Sequence, residues 1–84
     1  MDVFIKVAPR QYERLRNQIS PDSRAHAAID NATRIDHAIE GVRFEGYNIP
    51  CDEAQARIIL EVAKQYCPEA IPAIEEAMTL ARSG

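Results

Sequence analysis

The chain has little glycine. Its three glycines stand at positions 41, 46 and 84, and neither a Gly-x-Gly-x-x-Gly dinucleotide fingerprint nor a phosphate loop can be written with them. Cysteine is equally sparse. Cys51 and Cys67 flank a segment that reads as a helix, which would hold their Cα atoms roughly 24 Å apart. A disulfide spans less than about 7 Å, so no intrachain bridge is expected and a reducing compartment fits. No apolar run approaches the ~20 residues of a membrane span. Residues 1–8 lack the apolar core of a signal peptide. The expected setting is the cytoplasm, with no membrane partner.

Close-set metal ligands are missing too. Structural zinc wants paired ligands at short spacing, whereas Cys51, Cys67, His26 and His37 are scattered. His26 with Asp30 or Asp22 offers two points of chelation at most, and the plainer reading is a solvated helix face. Neither a metal nor a cofactor is expected.

What is present fits one small domain over residues 1–84. Twenty-four large apolar side chains and thirteen alanines suffice for one core, though not a generous one. Cores of this size supply no more than roughly 3–5 kcal/mol net, and many such chains gain the remainder by pairing. A homo-oligomer, most simply a homodimer, is therefore a fair expectation.

Hydrophobic periodicity gives an α+β, mostly helical fold, with an N-terminal strand, about four helices and a short hairpin or irregular strand at 42–49. Over 2–8, Val3, Ile5 and Val7 alternate with Phe4 and Lys6, the pattern of a strand with one buried face. Pro9 suits the first position of a helix over 9–19, with Tyr12, Leu15 and Ile19 on one stripe. Ser20 reads as an N-cap for a second helix over 21–40. Its stripe would be Ala25, Ala28, Ile29, Ala32, Ile35 and Ile39, with Gly41 as the stop. Next, 42–49 reads as two short runs about a Glu45-Gly46 turn. Asp52 and Gln55 form a capping-box pair opening a helix over 53–66. Apolar residues cover so much of that helix, including Ile58, Ile59, Val62 and Tyr66, that it reads as central. A fourth helix over 69–82 carries a seam of Ile71, Ile74, Ala77, Met78 and Ala81, with Leu80 on its other side.

Catalytic equipment is hard to find. Cys51 precedes a helix N-terminus, where a thiolate would be stabilised, yet neither a base nor oxyanion donors accompany it. The acidic pairs Asp52-Glu53, Glu75-Glu76 and Asp36-Glu40 have nothing to set their acidities apart, as acid-base work requires. The chain is not expected to be an enzyme.

Charge is more informative. Residues 1–44 carry seven basic and six acidic side chains, whereas 45–84 carry three and seven. Lys6, Arg10, Arg14 and Arg16 cluster early, and arginine's planar fork suits carboxylates and phosphates. Phe4, Phe44, Tyr47 and Leu80 have no clear place in a core, and exposed aromatics beside arginine make good interface anchors. The candidate contact residues are Lys6, Arg10, Arg14, Arg16, Tyr47 and Leu80.

The order strand, proline, short helix, turn and second helix over residues 2–40 resembles the ribbon-helix-helix DNA-binding family. That resemblance implies two N-terminal strands paired across a dimer. Phe4 and Lys6 would face DNA, Ser23 and Arg24 would lie near phosphates, and Arg10 and Arg14 would flank the site. Two readings follow. The first is a small protein-binding module, a regulator, inhibitor or accessory factor acting by occupying a macromolecular partner's surface, such as a phage or plasmid antagonist of a host enzyme. The alternative is a dimeric DNA-binding regulator of ribbon-helix-helix type, with nucleic acid as the partner.

Overall fold

Alternation decides the first element. In the computed structural model, which describes residues 2–83, Asp2–Val7 form strand β1, with Val3, Ile5 and Val7 buried and Phe4 and Lys6 exposed. Its partner is the C-terminal half of a long strand, β3 (Val42–Asp52). The two run antiparallel, with Val3 opposite Cys51 and Ile5 opposite Ile49. Pro9 opens helix α1 (Pro9–Gln18), and the Gln11 side-chain oxygen accepts the Ala8 backbone N–H at 2.9 Å. Leu15 and Ile19 are buried, as their stripe requires.

Residues 20–40 depart from the expected second helix. Ser20 and Ser23 each cap a turn, their hydroxyls accepting the Asp22 and Ala25 N–H groups. Helix α2 is confined to Ala25–Asp30. Thr33–Ile39 then form strand β2, which pairs antiparallel with the N-terminal half of β3. The turn falls at Glu40-Gly41, not at Glu45-Gly46. Both of its central residues have positive φ, 50° and 80°, as the tight primed turn of a two-residue hairpin demands. Ile35 and Ile39 are four apart, as on a helix, but Thr33, Ile35 and Ile39 are also β-branched residues at alternate positions. The pairing with β3 resolves the ambiguity, so 42–49 belongs to one continuous strand.

Helix α3 (Glu53–Tyr66) begins with the expected reciprocal cap. Asp52 accepts the Gln55 N–H at 2.7 Å, and Gln55 accepts the Asp52 N–H at 2.9 Å. Ala56, Ile59 and Ala63 are buried, while Ile58, Leu60 and Val62 are half-buried against the core. Tyr66 is exposed, so the buried arc is narrower than the sequence suggests. After a 3-10 turn at Pro68–Ala70, helix α4 (Ile71–Ser83) buries Ile74, Ala77 and Met78 and leaves Leu80 out.

The sheet order is β1-β3-β2, antiparallel throughout. Helix α4 lies chiefly against β1 and α3, so it flanks the β1 edge of the sheet. The ribbon-helix-helix arrangement needs β1 to pair between two chains. Here β1 pairs along its full length with β3 of its own chain, and the second helix of that motif is replaced beyond Asp30 by β2.

Candidate protein-binding surface

Strand β1 and helix α4 enclose a groove of about 580 Å³. Outward alternation on β1 supplies Asp2, Phe4 and Lys6 to one wall. Helical spacing on α4 supplies Ala73, Ala77 and Ala81 as a small-residue floor, with Glu76 and Leu80 beside them. Small side chains let the helix lie close to the strand, and they leave room above themselves. Phe4 is 52% exposed and Leu80 64%. Two large apolar side chains therefore converge on one concavity instead of being scattered singly. The charged groups at its margin are Asp2 and Glu76 against Lys6, an acidic balance. Phe4 also borders a second depression, formed with Asn31, Pro50 and Gln55.

Among the sequence-derived contact residues, Lys6 and Leu80 meet in this groove. Arg10, Arg14 and Arg16 stand exposed on α1, and Arg14 is tied to Glu69 by a 2.8 Å ion pair. Tyr47 turns to the helix-covered face, where its half-buried ring stacks on Tyr12 with centroids 4.0 Å apart. That placement follows from β3 being a single strand, because its inward series of Tyr47, Ile49 and Cys51 then alternates without a break. The Tyr12 hydroxyl donates to the Ile29 carbonyl at 2.9 Å, and burial raises its pKa above the ordinary value. Ala73 and Glu76 were absent from the sequence-derived set, and Phe4 entered it only as a side chain with no clear place in a core. The i, i+3, i+4, i+7 series Ala73, Glu76, Ala77 and Leu80 is the signal that would have found the α4 wall.

The thiols are not activated. Cys51 is buried, its Sγ lies 3.6 Å from the Val3 carbonyl oxygen, and burial together with the Asp52 carboxylate pushes its pKa up to about 11. Burial raises the Cys67 thiol as well. His26 pairs with Asp30 at 3.1 Å. Among the described residues, no three His, Cys, Asp or Glu side chains gather as a metal site would require, and no helix is long and apolar enough to cross a membrane.

Comparison of the chain with protein-family models, with curated proteins and with solved structures finds no match.

Proposed function

We propose that the chain is a non-enzymatic protein-binding module whose β1–α4 groove receives an apolar segment of a protein partner. The observation that carries this reading is the convergence of Phe4 and Leu80 on one alanine-floored groove. Exposed apolar surface gathered in a concavity and rimmed by polar groups marks interaction sites. Large side chains filling such pockets dominate binding energy. The acidic balance of the rim suits a segment carrying Lys or Arg next to its apolar anchors. Such a module acts as a regulator, inhibitor or accessory factor by occupying its partner's surface.

A displayed library of random peptides panned against the intact chain tests this. Enriched peptides should combine large apolar residues with a basic one. Titrating such a peptide should shift amide resonances of residues 2–6 and 73–81. Leu80→Asp, at an exposed position, should abolish capture without unfolding the chain, while Arg10→Ala should leave it intact. Enrichment that survives Leu80→Asp, shifts confined to other surfaces, or the absence of any enriched peptide would each overturn the reading.

A further inference from the structure

We infer that β2 is a self-association edge, along which two copies pair antiparallel about a two-fold axis midway between their facing Ile35 residues to build one six-stranded sheet. The two edges of the sheet are treated differently. The β1 edge is flanked by α4, whereas β2 packs substantially against nothing but β3 among the described residues. An open edge strand is a template for another strand. β2 also needs support. β1 reaches only as far as Tyr47, so residues 35–39 of β2 and 42–46 of β3 form a two-stranded ribbon, which is marginal alone in water. Residues 42–46 have a free side of their own, but it stops at Val7, whose carbonyl oxygen sits where a Gly46 Cβ would stand. Among the described residues, no element but β3 packs substantially on β2.

The charges on β2 select the register and the occupant. A two-fold axis perpendicular to the sheet keeps like faces together, so only even registers are allowed. Centred on Ile35, the pairing sets Arg34 opposite Asp36 of the second copy, twice over, and Ile35 opposite its own equivalent. Centred on Arg34 or on Asp36, it sets like charges against each other. Centred on His37, it leaves Asp36 opposite Ala38 and sets Arg34 only against Glu40, a positive-φ turn residue beyond the end of the strand. Within one copy Arg34 already pairs with Glu45, and Asp36 with Arg43. The Ile35 register therefore extends both pairs into rows of alternating sign, Glu45–Arg34–Asp36–Arg43, that cross from one copy to the other. Directly opposed charges of unlike sign stabilise strand pairs, and like charges destabilise them. On the other face, the Phe44 ring lies over Gly46, directly beside Ile35. The two β1–α4 grooves would lie at the far edges of the joined sheet, both unobstructed.

Sedimentation equilibrium on charge-reversal variants tests the pairing. The unmodified chain should dimerise, and added salt should weaken the dimer. Arg34→Asp and Asp36→Arg each create two like-charge contacts in this register, so each alone should weaken self-association about a hundredfold. Mixed together, the two variants restore both attractions. The edge strand of the first then carries carboxylates at both positions, and that of the second carries guanidinium groups at both. The mixture should form a heterodimer that neither variant forms with itself, and this recovery also shows that both are folded. Ile35→Lys should weaken the dimer as well. The inference fails if the unmodified chain stays monomeric at millimolar concentration. It fails equally if the single variants dimerise normally, or if the mixture stays monomeric. A dimer insensitive to all three substitutions would belong to another surface, such as the open face bearing Phe4, and would overturn the assignment to β2.

Discussion

The two ends of the sheet hold their strands by different means. At the β1 end, side chains alternate between a helix-covered interior and solvent, and Val3, Ile5, Ile49 and Ile59 are fully excluded from water. At the β2 end Thr33 and Ile35 stand at alternate positions, but no helix packs closely on β2 among the described residues, and only Ile35 of residues 33–38 is half-buried. There Val42 is 72% exposed, and the pairs Arg34–Glu45 and Asp36–Arg43 lie across the two strands. Alternation alone thus specifies a strand without specifying what will cover it. Burial should dominate stability at the first end, because exposed ion pairs contribute little.

Three substitutions sharpen or break that contrast. Ile5→Ala removes a fully buried side chain beneath the helices and should cost about 2–5 kcal/mol in chemical denaturation. Gly46→Ala sits where the two regions meet. Its new Cβ would overlap the Val7 carbonyl oxygen, a backbone atom that cannot swing away, and the expected loss is about 1–3 kcal/mol. Asp36→Asn should have the smallest effect. It should speed amide hydrogen exchange within 33–45 and leave the amides of β1 unchanged. Global destabilisation by Asp36→Asn matching that of Ile5→Ala would erase the distinction between the two ends.

Acid should pick out the same end. Hydrogen bonds from Arg43, at 2.9 and 2.8 Å, hold the Asp36 carboxyl below the ordinary carboxylate range. A carboxylate with a depressed folded-state pKa contributes fully above its unfolded value, near about 4. That contribution is lost as pH falls through the lower folded value. Amides within 33–45 should therefore lose protection on acidification before those of β1, and Asp36→Asn should remove much of the difference.

The elements legible in the sequence were those fixed by local chemistry. Pro9, the Asp52–Gln55 cap and the seam of α4 each place an element by interactions within a few residues. Residues 31–40 were not legible because two periods coexist there, and the glycine that follows them does not arbitrate. Gly41 prefers positive φ, a conformation shared by helix C-termini and tight hairpins. The decision lay instead with β3, whose N-terminal half pairs along its length with residues 33–39, a contact no local pattern announces. The groove was half legible. Lys6 and Leu80 stood out as side chains without an interior place, but only the tertiary approach of α4 to β1 brought them together. Of the two readings of 42–49, hairpin or single irregular strand, only the pairing of β3 selects the single strand that turns Tyr47 toward Tyr12.

The Tyr12–Tyr47 stack has an optical consequence. The chain has three tyrosines and no tryptophan, and Tyr66 stands in solvent. Two of the three strongest near-ultraviolet chromophores thus lie face to face, 15° from parallel, in a fixed chiral setting between α1 and the sheet. Their coupled circular dichroism band is a built-in gauge of whether that helix is seated.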